Sequence, residues 1–203
     1  MTQLAPTSRT KLKRRAQRGS FDRAVVNAIL DEGFVCHVSF LHQGKACLIP
    51  TVYARAGDWI VLHGSTANRA FRALRDPGNQ ACFCVTHVDA LVMARSAFHH
   101  SVNYRSAVIF GHAEPIAEET EKYRALERFM ERIHPGRWAV VRPPNAQELK
   151  ATTVVRIPIV EASAKIRTGG PIDDAEDMTL DVWAGVVPLK IERGTPERHV
   201  SDG

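Results

Sequence analysis

From Phe34 onward apolar and polar residues alternate, and the alternation is interrupted by short clusters of Gly, Pro, Asn and Asp. The segments FVCHVSFL (34–41), ACLIPTVYA (46–54) and DWIVLH (58–63) therefore predict three strands. Turns at His42-Gln43-Gly44-Lys45 and Arg55-Ala56-Gly57-Asp58 would join them as an antiparallel meander. Pro50 has no N–H to give to a ladder, so it belongs on an edge or at a bulge. The alternation resumes in QACFCVTHV (80–88), ALVMARSAF (90–98), SAVIFGHAEPI (106–116) and TTVVRIPIV (152–160).

Three stretches change to helical period. Val25, Ala28 and Ile29 predict a helix that Ser20 or Asp22 can cap and Gly33 can end. Ala67, Ala70, Phe71 and Leu74 predict a short helix from about Thr66 to Leu74, stopped by Asp76-Pro77-Gly78-Asn79. Residues 118–134 are clearly amphipathic, with Tyr123, Leu126, Phe129, Met130 and Ile133 on one side. The stretch from Pro135 to Lys150 holds three prolines and reads as a loop. Six or seven antiparallel strands with a few helices predict a mainly β fold, a closed or nearly closed barrel under helical covers.

Composition agrees with this picture: 44% of the 203 residues are hydrophobic and 24% charged, the balance of a globular chain. The longest apolar runs, such as 46–50 and 106–110, fall far short of the ~18–20 residues of a membrane-spanning helix. No secretory signal is visible at the N-terminus, so a cytoplasmic protein is expected. The net charge is +5. Part of the excess lies in SRTKLKRRAQRGS (8–20), which carries no acid and is read as a basic N-terminal tail over residues 1–20. Nucleic-acid binding through that tail ranks last among the functions considered, because no aromatic residues interleave the cations. Cys36, Cys47, Cys82 and Cys84 make no C-x-x-C pair and sit in alternating apolar segments, as small core residues would.

One junction has the makings of a site. In DWIVLHGSTANRAFRAL (58–74) a strand runs into His63-Gly64-Ser65 and a helix opens with Thr66, Ala67, Asn68 and Arg69. An anion there would meet helix N-terminal amides, two hydroxyls and a forked guanidinium, while Gly64 would let the backbone come close. The plain alternative is a strand-to-helix connection in which Ser65 or Thr66 caps the helix.

The order of elements, with CHVSF, IPTVYARAGDWIVLHGSTANR, ARSAFHHSVNYRSAVIFGHAE, EASAKIRTGGPIDD and VWAGVVPL, resembles the FMN-binding split-barrel family typified by pyridoxamine 5'-phosphate oxidase. The likeness is greatest to its smaller flavin-nucleotide-binding and nitroimidazole-resistance-type branch, and it spans most of residues 21–190. It implies a six-stranded antiparallel split barrel over 21–190, a flexible C-terminal tail over 191–203, and a homodimer with FMN at the subunit interface. It puts the phosphate grip on His63, Ser65, Asn68 and Arg69 and the isoalloxazine along Pro50-Thr51-Val52. It also brings Ser96, Lys165, Arg167 and Trp183 to the border of the cofactor pocket. The larger oxidases carry an Arg-and-Lys pair on the strand before the phosphate site, where this chain has His63 and no preceding Arg.

The resemblance implies an FMN-dependent oxidoreductase that passes hydride or electrons through flavin N5 to a small acceptor, with a small-molecule substrate or a nicotinamide nucleotide as partner and no membrane. A general flavin reductase role fits better than vitamin B6 oxidation. His99 is the candidate catalytic proton donor or ligand-orienting group. No protein-bound metal is expected, because His99 and His100 would point to opposite faces of a strand. The alternative is a non-catalytic module holding flavin or haem, with His63, His99 or His112 as the iron ligand.

Overall fold

The computed structural model describes residues 2–199, which fall into two units: Met1–His87 with Arg105–Arg167, and Val88–Tyr104 with Thr168–Gly203. The first unit starts with a two-residue strand β1 (Gly19–Ser20) and helix α1 (Arg23–Glu32), whose N-terminal amide at Ala24 is capped by the Asp22 side chain at 2.8 Å. Strands β2 (Val35–His42) and β3 (Lys45–Val52) follow as a hairpin. Its two-residue turn has Gln43 at φ 52° and Gly44 at φ 73°, the doubly positive geometry that suits strand twist.

The chain then departs from the expected three-strand meander. Tyr53 leaves the ladder, is buried, and donates its hydroxyl proton to the Leu30 carbonyl at 2.6 Å. Strands β4 (Ala54–Ala56) and β5 (Trp59–Ser65) thereby enter a second sheet, ordered β4-β5-β9-β8 with β8 (Glu114–Pro115) and β9 (Thr152–Pro158). The first sheet runs β1-β10-β7-β6-β2-β3, with β6 (Gln80–Met93), β7 (Ser101–His112) and β10 (Glu161–Arg167). Pro50 lies on β3, the terminal strand of that order, as its missing donor requires.

Within the first unit the two sheets close on one core. Val38, Phe40, Phe83 and Ile109 meet Ile60, Leu62, Val155 and Ile157, with Val26, Ile29 and Leu30 of α1 at the end. Each such aliphatic side chain removed from water stabilises by about 1.5–3 kcal/mol. Because side chains alternate along β5, Ile60 and Leu62 enter this core while Val61 faces helix α3 (Glu119–Ile133). There Val61 packs with Ala54, Ile116, Ala125, Phe129 and Val154 in a second cluster. Lys122 ties α3 down by donating to the Leu149 and Thr152 carbonyls (3.4 and 3.1 Å), and Arg132 by donating to those of Leu30 and Gly33 (3.3 and 2.7 Å).

Several expectations need correction. The short helix α2 (Arg69–Leu74) starts later than Thr66, and its cap is Asn68, whose Oδ1 accepts from Ala70 at 2.8 Å. The two strands predicted over 80–98 are one, β6, and residues 94–98 are outside it. The apolar alternation changes phase near Asp89, from Phe83 and Val85 to Ala90 and Val92, which mimics a break that the backbone does not make. The stretch 135–150, read as loop, contains helix α4 (Ala146–Ala151), opened by a reciprocal capping box between Asn145 and Glu148.

The basic N-terminal segment is not a free tail. Leu4 is only 5% exposed, its amide donates to Phe21 at 2.8 Å, and Arg9 pairs with Glu161 while lying over the Phe110 ring. At the other terminus residues 191–199 are exposed and without regular structure, and 200–203 of the expected tail lie outside the described residues. All four cysteines are free.

The second unit contains the far part of the β6–β7 hairpin and a returning strand, β11 (Gly185–Pro188), which pairs antiparallel with Ala90–Met93. Among the described residues no helix is long and apolar enough to cross a membrane.

Candidate functional site

His63 lies on the face of β5 turned to α3, with its ring 4.3 Å from that of Phe129, centroid to centroid, at 68°. Its Nδ1 is buried and has no hydrogen-bond partner. Burial without a compensating charge pushes the imidazole pKa below its ordinary value, so the ring is held neutral, the form that ligates a metal. An unpaired buried polar atom is costly and calls for an explanation. His63 borders a cavity of about 310 Å³ whose walls are mainly apolar, among them Leu126, Met130 and Ile133 of α3 with Trp138 and Val141.

The outer wall of that cavity is the proline-rich segment after α3. Glu131 shapes it by accepting from the amides of Gly136 (2.6 Å) and Trp138 (3.0 Å), bonds that hold its carboxyl below the usual range. Gly136 takes φ 79°, a left-handed conformation that favours glycine. Trp138 packs edge-on to Tyr123, and Arg142 pairs with Glu148 at 2.7 Å. With the amide of Asn145 also bound, the Glu148 carboxyl is pulled down to about 2.

At the corner expected to hold phosphate the chain makes a hydrogen-bonded turn. Ser65 accepts from Ala67 at 3.2 Å through Oγ, and its carbonyl accepts from Asn68 at 2.9 Å, so Ser65, Asn68 and Arg69 share one exposed turn. The His63 ring packs against Phe129 of α3. Arg69 borders a different cavity, of about 420 Å³, together with Arg72 and His42. Gly64 has a local reason: a Cβ there would lie 2.3 Å from Cε2 of Phe71, so it makes room for a ring of the protein itself.

Pro50, Thr51 and Val52 lie on β3, whose one sheet partner among the described residues is β2. The other edge of β3 thus presents backbone groups for hydrogen bonding. On β10, Lys165 is half-buried and Arg167 is buried, at 6% exposure. In the second unit Ser96 accepts from the His99 amide at 3.2 Å, and His99 Nε2 is 3.1 Å from Asp174. Arg95 pairs with Asp173 at 3.0 Å, and Trp183 is 65% exposed. His99, Asp174 and Asp177 bring three ligand-type atoms within 4.8 Å of one another, with Asp174 exposed and the other two half-buried. His112 is exposed at the end of β7. Of the three histidines named as iron ligands, His63 borders an apolar cavity.

The sequence profile of pyridoxamine 5'-phosphate oxidase matches residues 22–166, most of the chain. The chain belongs to the pyridoxamine 5'-phosphate oxidase family. The flavocytochrome Anf3 from Azotobacter vinelandii is 39% identical, with 98% of this chain and 94% of that one covered at a TM-score of 0.90. The FAD- and haem-binding protein from Mycobacterium smegmatis is 36% identical over 92% of this chain and 91% of that one, at a TM-score of 0.86. An FAD-binding protein from Mesorhizobium loti, 14% identical over 74% of this chain and 98% of that one at a TM-score of 0.53, shares the fold. No curated protein matches the chain by sequence.

The walls of the His63 cavity escaped the sequence reading. Leu126, Met130 and Ile133 looked like the core face of a helix, yet only Ala125 and Phe129 of α3 are fully buried. The available signal was an apolar stripe wider than one sheet face can cover.

Proposed function

We propose that this protein is a flavin-dependent redox protein that also seats a haem against His63. The observation that carries the haem half is the neutral imidazole of His63 on the wall of an apolar cavity. Iron ligation needs a neutral histidine in a low-dielectric surround, and the apolar walls suit a porphyrin face. Arg142 is the cation on the rim of the cavity and would meet carboxylates of such a ligand. When bound, haem supplies one-electron and oxygen chemistry, and flavin supplies hydride and single-electron chemistry.

For the flavin, Ser65, Asn68 and Arg69 would hold phosphate, and the unpaired edge of β3 at Pro50-Thr51-Val52 would pair with the pyrimidine edge. The relative named for FAD and haem favours FAD over FMN. Exposed Val35, Leu41 and Leu48 on the β2–β3 hairpin support a homodimer, since an edge strand bearing apolar side chains favours a partner. The four free cysteines fit the reducing cytoplasm.

The test is the visible spectrum of the purified protein after reconstitution with hemin and FAD, followed by release and mass identification of each chromophore. A Soret band should vanish in His63→Ala while flavin absorbance persists, and Arg69→Ala should weaken flavin retention while the Soret band persists. A Soret band unchanged in His63→Ala overturns the haem assignment. Flavin bands with no Soret band leave an oxidoreductase carrying flavin alone.

A further inference from the structure

The β5–α3 interface has a second opening, at the Trp59 end. Trp59 and His63 are four strand residues apart, roughly 13 Å, so this cavity is distinct from the one beside His63. It measures about 200 Å³, with Val61 and Ala125 among its apolar residues and Arg124, Arg128 and Arg156 among its polar ones.

The arginines converge from two elements. Arg124 and Arg128 stand one turn apart on α3, a like-charge pairing that costs a helix a few tenths of a kcal/mol. Neither makes an ion pair or a side-chain hydrogen bond among the described residues. Arg156 comes from β9, opposite Val61 in the ladder. Its guanidinium lies 4.3 Å from the Trp59 ring centroid and its Nε donates to Glu114 at 3.1 Å, so its plane is fixed in advance. Glu121 borders the cavity and Glu114 pairs with Arg156, so the three arginines outnumber these two acids by one.

We propose that this cavity binds the phosphate group of a small organic ligand. Guanidinium forks match the oxygens of phosphate, and three of them exceed what a lone carboxylate can satisfy. The apolar floor would take the body to which the phosphate is attached. This site stands apart from the flavin and haem assignments and survives if either fails.

Calorimetric titration of the full chain, as purified with its chromophores and at constant ionic strength, tests it with inorganic phosphate and with phenyl phosphate. One saturable site per chain is expected, and Arg128→Gln and Arg156→Gln should each weaken binding on the order of tenfold or more, as loss of a charge-assisted bond does. Phenyl phosphate binding tighter than phosphate assigns the organic ligand; equal binding assigns the free ion and overturns the organic part. Heat that never saturates, or wild-type affinity in both variants, overturns the site. Arg128 is exposed, so Arg128→Gln should fold. An unchanged visible spectrum in Arg128→Gln would separate this site from the chromophores.

Discussion

His63 and Phe129 meet edge to face at 4.3 Å on the side of β5 turned away from the barrel core. Phe129 is 4% exposed and joins α3 to the second sheet, so its ring both closes the small cluster under the helix and walls the cavity beside His63. Phe129→Ala should therefore destabilise the fold by about 3–5 kcal/mol, the range for a buried aromatic. Urea unfolding measures this. A loss below about 1 kcal/mol would mean that α3 does not hold the sheet through this ring.

The same burial makes His63 a source of acid sensitivity. Its folded-state pKa lies below the ordinary ~6.5, so the unfolded chain binds the proton more readily than the folded one. Stability from this group is complete above ~6.5 and falls as pH drops from there toward the lowered folded value. His63→Phe keeps a ring of similar size and removes the titration. Unfolding midpoints taken from pH 7.5 down to 5 should fall less steeply in the variant, and parallel curves would show that the imidazole is not desolvated.

Gly64 separates a packing role from a binding role. Its missing side chain makes room for Phe71 of α2, a buried ring with no freedom to retreat. Gly64→Ala should cost about 1–3 kcal/mol through overpacking, read as a lowered thermal midpoint with or without cofactor. A variant of wild-type stability that bound flavin poorly would instead return Gly64 to the cofactor.

How much was readable along the chain follows from how local each signal is. The β2–β3 hairpin was legible because its turn chemistry and alternation lie within twenty residues, and α3 because its polar face is unmistakable. The helix α4 was hidden among prolines, although Asn145 and Glu148 carried its capping box in plain sight. The handover after β3 depended on Tyr53 reaching Leu30, and the His63 cavity on α3 folding over a strand laid down more than fifty residues earlier. The arginine cluster draws on α3 and β9 together, and no window along the sequence contains both.

The N-terminal segment is the plainest case of a distant partner overriding a local reading. Six cations without an acid look like a solvated arm until Glu161, far along the chain, supplies a bidentate partner to Arg9 and accepts from Thr7. Arg9 and Thr7 together hold the Glu161 carboxyl below its usual range. An ion pair this exposed is screened by solvent, so Arg9→Gln should change stability little. Leu4 is the stronger anchor, because its side chain belongs to the main core. Leu4→Ala should lower stability by about 2 kcal/mol or more, whereas a residue in a free tail would stay within about 0.5 kcal/mol. Equilibrium unfolding of the two variants decides between them: a neutral Leu4→Ala would release the first twenty residues back to solvent, and the expected loss makes them part of the barrel.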